Sequence, residues 1–501
     1  MMHNNLNVRG RFINGAFWML GSKLTERILG LVSTLILARL LLPADFGLVA
    51  MAAPVIALVE LLGGFGIDAA LIQRREPTQT HYNTAWTINI IFGVLITLFL
   101  WILAPIAASF FHEARLEKII YWLAINNFVR GFSNIGMVKF RKELNMAPEV
   151  IWVLSRKITS LVVATIAALL LGSYWALILG MVGSTLVGVI TSFILSKYRP
   201  RLTLKAYKDL IGFSSWFLLL NFLNYLQLRT NDLIVGRLLG PAQLAFYNVS
   251  IDIAVPFTGE ASSIIARVAF PAFSKIAHDR TRLSDGLGAV LSGLAIFSIP
   301  AGFGIFATDK LIVSVLLGEQ WFPASEIIGA LAISTAALGM LSHISVVYMS
   351  LGFPKLSTLA SAVNVTALIG LSLLLIPKHG LLAVNYVFPL SAAACAISHY
   401  FILRVILPEF RLKNWLQAFW RPVTASLVMY LAVNAFISVF MSDSTLVKIA
   451  LLLGAITVGA ITYAASILAL WRLEGMPAGS ESLIVNKIKE IILNLKKRHS
   501  S

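Results

Sequence analysis

Thirteen Lys, Arg, Asp and Glu side chains fall inside, rather than at the edges of, stretches that are otherwise almost wholly apolar. Seven are basic (Lys23, Arg27, Arg130, Arg156, Lys157, Arg229, Arg267) and six acidic (Glu26, Glu60, Asp68, Asp232, Asp252, Glu260). A charge at the centre of a bilayer costs about 2.5–3.5 kcal/mol or more, so each must meet water, a partner or a ligand. Lys23 and Arg27 are four apart and share one helix face, where like charges repel unless an anion or an acid lies between them. Glu26 serves one of them. Two readings of this pair stand: a cationic patch that holds phosphate, to which Arg binds in bidentate fashion, or two long side chains snorkelling to a wet mouth. Arg130 has no acid within one turn and reads as mid-span, so it needs a partner on another helix or a ligand. Arg156 and Lys157 lie near a span end, where snorkelling is the favoured reading. Arg229 and Asp232 are three apart and read as an ion pair. Asp252 and Glu260 flank Pro256 at a spacing of eight, a little over two turns. A membrane carboxylate of this kind serves as a proton relay, or Arg267 neutralises it from the same face. Glu60 and Asp68 repeat the spacing, as a second relay or as further structural pairs.

Other chemistries leave no trace. The eight histidines show no metal-ligand spacing, and no His-Glu-x-x-His occurs. No Gly-rich loop is followed by Lys, and no Asp-x-Asp of the metal-nucleotide kind is present. The single cysteine, Cys395, excludes an internal disulfide and a Cys-based metal cluster. No cofactor and no metal are expected.

The elements that carry these charges follow from composition. Of 501 residues, 58% are hydrophobic and 13% charged, and the mean hydropathy is +0.84. Soluble proteins average roughly 25% charged. A soluble globular enzyme, a disordered chain and a secreted disulfide scaffold are thereby excluded. A spanning helix needs about 20 mostly apolar residues. Fourteen such stretches can be read: 13–38, 46–72, 84–111, 119–138, 149–171, 174–196, 210–236, 244–270, 286–307, 325–350, 356–376, 381–403, 422–441 and 446–471. The first is too long and too polar for a cleavable signal peptide and is expected to persist. With the N-terminus inside, 26 Lys and Arg fall in inside segments and seven outside. This split supports two cytoplasmic termini. It also accounts for the net charge of +17 as topology rather than nucleic-acid binding. The loops are too short for a soluble domain.

A repeat organises the spans. Residues 35–44 read LILARLLLPA and residues 233–242 read LIVGRLLGPA, identical at seven of ten positions, Arg39/Arg237 and Pro43/Pro241 included. Pro54 and Pro256 interrupt the second span of each half, and Pro105 and Pro300 the third. The expected fold is therefore all-α, a polytopic membrane protein of about 14 transmembrane helices. Two pseudo-symmetric six-helix lobes (1–205 and 206–410) precede two extra helices and a tail (411–501). Paired lobes with helices broken at matching positions are the architecture of alternating-access transporters. The bland alternative is a duplicated scaffold whose prolines only kink helices for packing.

The segments LARLLLPADFGLVAMA (37–52), ALIQRREPTQTHYNTAW (70–86), FPAFSKIAHDRTRL (270–283) and LLGEQWFPA (316–324) resemble the polysaccharide transporter family. That family belongs to the multidrug/oligosaccharidyl-lipid/polysaccharide exporter superfamily. The likeness is greatest to lipopolysaccharide-type and colanic-acid-type exporters and covers most of residues 10–410. It implies a flippase of the bacterial inner membrane that moves an undecaprenyl-diphosphate-linked repeat unit for surface polysaccharide synthesis, with no enzymatic step. Lys23, Arg27, Arg130 and Arg229 then become candidates for a diphosphate and sugar cavity. Glu26, Glu60, Asp68, Asp232, Asp252, Glu260 and Arg267 become candidates for ion coupling or structural pairing. Implied partners are the lipid-linked oligosaccharide, membrane lipid, and a polysaccharide polymerase or glycosyltransferases, around a monomer. The alternative is a proton- or sodium-coupled multidrug exporter on the same fold. Such an exporter of cations calls for an acidic cavity, whereas the interiors of the spans between 13 and 196 hold five basic and three acidic residues. A membrane polymerase would need larger outside loops. Most tryptophans, Trp152 among them, read as interfacial belt, with sugar stacking as the alternative. In the tail, Ile484, Ile488, Ile491, Ile492 and Leu495 form one stripe flanked by lysines, an amphipathic basic helix for an anionic leaflet or a docking helix.

Overall fold

The computed structural model describes residues 2–63, 67–74, 76–210, 215–440, 444–477 and 480–482. The tail stripe from Ile484 to Leu495 lies outside them. Among the described residues there are helices and connecting turns and no strand. An apolar chain in hydrocarbon must satisfy its backbone within each segment, and the α-helix does so. Fourteen of the seventeen α-helices are 17 residues or longer, and each coincides with one of the fourteen apolar stretches. Nine segments of the described chain meet a stricter length-and-hydropathy test for crossing a membrane. The protein is a multi-pass, all-α membrane protein.

The chain divides into two compact units, Met1–Ala245 and Phe246–Ser501. The first contains α1 (Met2–Leu40), α2 (Pro43–Gly63), α3 (Ile67–Gln73), α4 (Gln79–Phe111), α5 (Arg115–Gly131), α6 (Met137–Lys142), α7 (Ala147–Leu171), α8 (Trp175–Leu195), α9 (Tyr207–Leu210), α10 (Ser215–Leu239) and the start of α11 (Pro241–Ile276). The duplication makes α10 the first helix of the second copy. By contacts it belongs to the first unit, where it packs on α2 and α4. The second copy of the motif also meets α2 at the start of α11: a Cβ on Gly47 would overlap the carbonyl of Pro241, so only glycine permits the approach.

Helix faces sort by solvent. On α7, Ile151, Ile158, Val162, Ile166 and Leu169 form an exposed stripe, 47–67% accessible, suited to lipid. The opposite face buries Ala164, Ala167 and Ala168 against Leu37 of α1 and Leu41 just after it, because small residues let the two backbones approach. After α8 the chain runs along α4 as an extended strap. Arg201 N–H donates to Asn83 Oδ1 (2.9 Å), Thr203 N–H to Thr87 Oγ1 (2.9 Å) and Ala206 N–H to Thr84 Oγ1 (3.3 Å).

The second unit contains most of α11 with α12 (Arg280–Ile312), α13 (Phe322–Ser350), α14 (Pro354–His379), α15 (Val384–Ile406), α16 (Leu412–Val439) and α17 (Thr445–Leu473). Leu283, Leu287, Leu291 and Leu294 of α12 recur every three to four residues, so one face of the helix enters the core beside α13 and α15. The extra helices α16 and α17 dock on α12 and on each other.

Two sequence expectations need correction. Pro54, Pro105, Pro256 and Pro300 lie inside continuous helices rather than at breaks. A proline removes one backbone bond and bends a helix, and neighbouring helices tolerate this in a membrane. The apolar stretch 46–72 is two helices: α2 closes at Gly63 and α3 opens at Ile67. Glu60 and Asp68 therefore do not share one helix face.

Candidate functional site

Six helices of the first unit surround a cavity of about 450 Å³. Glu60 reaches it from α2, Asp68 from α3, Asn89 from α4, Asn127 and Arg130 from α5, Trp152 and Arg156 from α7, and Thr185 and Gly188 from α8. The walls are held by side-chain bonds across helices. Thr97 Oγ1 on α4 lies 2.9 Å from the carbonyl of Ala124 on α5, and Trp152 Nε1–H donates to the carbonyl of Gly188 at 2.7 Å.

The charges come in pairs. Arg130 Nη1 lies 2.9 Å from Glu60 Oε1. Arg130 occupies the last turn of α5 rather than mid-span, since the helix closes at Gly131. A cation there complements the helix C-terminus. Arg141, on α6, bridges Asp68 at 3.1 Å and Glu149 at 2.6 Å. Burial works against its charge, yet the bonds it donates to Glu149 and Asp68, with their negative charges, prevail and hold its pKa above the ordinary value.

Arg156 stands apart. Its guanidinium carbon lies 5.0 Å from the Trp152 ring centre, a cation–π contact one turn along the same helix. Among the described residues no carboxylate lies within ion-pair distance of it, while Glu26, Glu149 and Arg130 are within electrostatic reach. A Cβ on Gly188 would come within 2.8 Å of Arg156 Cδ, so this glycine makes the room that the arginine occupies. The cavity thus offers one arginine without a carboxylate partner, amides, hydroxyls and an indole. That set can bind an anionic group and the hydroxyls of a polar cargo.

The other candidates are placed elsewhere. Lys23 is exposed and Arg27 half-buried on α1, and neither lines this cavity. Arg229 and Asp232 form the i, i+3 pair on α10 at 3.1 Å, with the Asp232 side chain 3% accessible. Asp252 is exposed on α11. The side chains of Glu260 and Arg267 lie outside the described residues. The sequence did not place Arg156, Trp152, Asn89 or Asn127, which line this cavity, among the site candidates. Trp152 and Arg156 did carry a signal, their i, i+4 spacing on one helix face.

Fold and cavity define a class: a multi-pass helical membrane protein with a polar chamber inside its first unit. Over 91% of this chain and 99% of the other, the structure matches that of the lipid II flippase MurJ in an inward closed conformation, with a TM-score of 0.71 at 16% identity. A multidrug resistance MATE family transporter of the MOP superfamily matches at 0.54 and 15% identity, over 77% and 95% of the two chains. The chain shares the fold of these two proteins.

The chain belongs to the polysaccharide biosynthesis protein family, whose model matches residues 36–326. It is 26% identical over 332 residues to the lipopolysaccharide biosynthesis protein WzxC of Escherichia coli (strain K12), covering 63% of this chain and 65%, just under two thirds, of that relative. It is 23% identical over 428 residues to the teichuronic acid biosynthesis protein TuaB of Bacillus subtilis (strain 168), covering 84% and 88%.

Proposed function

We propose that the protein is a flippase that moves a lipid-linked oligosaccharide across the bacterial inner membrane for surface polysaccharide synthesis, by alternating access between two duplicated six-helix lobes. The observation that carries this reading is the polar chamber inside an otherwise apolar helical unit. Removing water from that many polar groups is costly unless a polar cargo or water fills the space. The family membership and the names of the relatives point the same way. In this reading Arg156 takes the anionic phosphate or an acidic sugar through its planar fork. Asn89, Asn127 and Thr185 take sugar hydroxyls. The cargo is carried unchanged, so no bond is made or broken. The basic ends of the spans lie in the cytoplasm with both termini, and the protein acts as a monomer alongside a polymerase or glycosyltransferases.

The multidrug-exporter reading has the MATE-type fold match in its favour. An unpaired arginine in the cavity repels cationic drugs, and ion pairing commits Glu60 and Asp68 to arginines. The test is polymer export in cells carrying Arg156→Ala at normal protein level. A fall of about tenfold or more is expected, the loss of one charge-assisted contact, with partial recovery in Arg156→Lys. Accumulation of the lipid-linked unit on the cytoplasmic leaflet should accompany the fall. Unchanged export in Arg156→Ala, together with drug sensitivity on deletion of the gene, would reject the flippase reading.

A further inference from the structure

A second cavity of about 950 Å³ opens on the basic end of the first unit, between the start of α4, α6 and the chain after α8. Its floor is apolar and aromatic, with Tyr82, Phe140 and Tyr198, and its lining carries Lys139, Lys142 and Lys197 against one carboxylate, Glu143. The six-residue α6 lines this cavity and is tied through Arg141 to Asp68, a residue of the polar chamber. Arg141 turns to Asp68 and Glu149, while Lys139 and Lys142 on the same helix line the second cavity. The site is built rather than incidental. Lys142 Nζ donates to the carbonyl of Arg74, and Tyr198 Oη is 2.5 Å from Asn83 Oδ1. Burial pushes the Tyr198 phenol up to about 12, so it stays a neutral donor.

The adjoining strap shows which solvent this end meets. Leu202 is 70%, Leu204 46% and Tyr207 46% accessible. They alternate with Arg201, Lys205 and Lys208, all exposed. Apolar tips among cations, clamped along the first turns of α4, suit the boundary between headgroups and acyl chains.

We propose that this second cavity binds a lipid phosphate, the anionic head of an amphiphile whose hydrocarbon chain stays in the adjoining bilayer. The lysines neutralise the phosphate and the aromatic floor covers the apolar atoms next to it. Two sources share this chemistry, a bulk anionic phospholipid and a polyprenyl diphosphate. The site rests on the placement of this end in the membrane interface and is independent of what the polar chamber carries.

Native mass spectrometry of the full-length protein in detergent tests it, with dioleoyl phosphatidylglycerol, dioleoyl phosphatidylcholine and undecaprenyl diphosphate as probes. The wild type should retain the anionic lipids over phosphatidylcholine. In the triple variant Lys139→Gln/Lys142→Gln/Lys197→Gln the anionic retention should fall about tenfold or more, and the corresponding triple arginine variant should restore it. Loss confined to phosphatidylglycerol assigns a structural phospholipid, and loss confined to undecaprenyl diphosphate assigns a docking point for substrate-type lipid. Should the glutamine triple fail to fold, Lys139→Gln and Lys197→Gln singly should each lower retention about fivefold. Equal retention of every lipid by wild type and glutamine variants overturns the proposal.

Discussion

The two units enclose cavities of nearly the same size and opposite character. The chamber of the first, about 450 Å³, is lined by two arginines, two carboxylates, amides and an indole. That of the second, about 440 Å³, is lined by Ile299, Phe303, Met340, Leu341, Phe419 and their neighbours, and among its lining residues none is charged. Arg39 and Arg237 carry one repeated pattern, yet the helices around the two cavities present different side chains to them. Duplication preserved the helix frame, which depends on backbone satisfaction and small-residue packing. The inward side chains differ, polar around the cavity of the first unit and apolar around that of the second.

Sharpest among the ways to break this contrast is to put a charge where the second unit has none. Met340→Arg places a guanidinium in an apolar wall with no carboxylate among the lining residues. An unpaired charge there should cost several kcal/mol, and the protein should fail to accumulate in the membrane fraction. Normal accumulation would mean that this cavity tolerates charge, and the contrast would fall. Next in size is a cavity in the leucine row. Leu291 is fully buried, and Leu291→Ala should lower stability by about 2–5 kcal/mol, read as a drop in melting temperature of the purified protein. Transport per folded molecule should stay unchanged if the second unit acts through packing.

The remaining two sharpen the comparison from the polar side. A double-mutant cycle on Glu60→Gln and Arg130→Gln should give a coupling of about 1 kcal/mol or less, because Arg130 is 60% accessible and water screens the pair. A coupling near zero would make both residues available to cargo rather than to each other. The smallest effect is expected at the turn between α4 and α5, where Arg115 hydrogen-bonds Glu113 and holds its carboxyl below the ordinary value against the pull of burial. The folded pKa is depressed, so this stabilisation is complete above the unfolded pKa of about 4.3 and is lost as pH falls through the folded value. Glu113→Gln should remove at most about 0.5 kcal/mol at pH 7 and nothing at the acid end of a pH-dependent thermal melt.

Much of the fold was legible without coordinates. Span positions follow from the hydropathy of the chain, because hydrocarbon leaves the backbone no alternative to the helix. The Arg229–Asp232 pair followed from spacing alone. The site was legible only in part. Arg130 announced its need for a partner on another helix, but Glu60 as that partner, 70 positions away, was not readable. The spacing of Glu60 and Asp68 suggested one face of one helix, and the end of α2 at Gly63 undid that inference. Arg156 read as a snorkelling side chain because its position near a span end is equally compatible with an interior fork.

The sequence by itself determined that this chain crosses a membrane many times, that it is duplicated, and that its charges within the spans require company. These are local properties, set by burial cost and by helical period. Only the tertiary structure decided which charges meet, that α6 sends Arg141 to Asp68 and Glu149 and its lysines to the second cavity, and that Gly188 clears the space for Arg156. Those outcomes depend on contacts between helices far apart in the chain, and a period of 3.6 residues carries no information about which helix lies opposite.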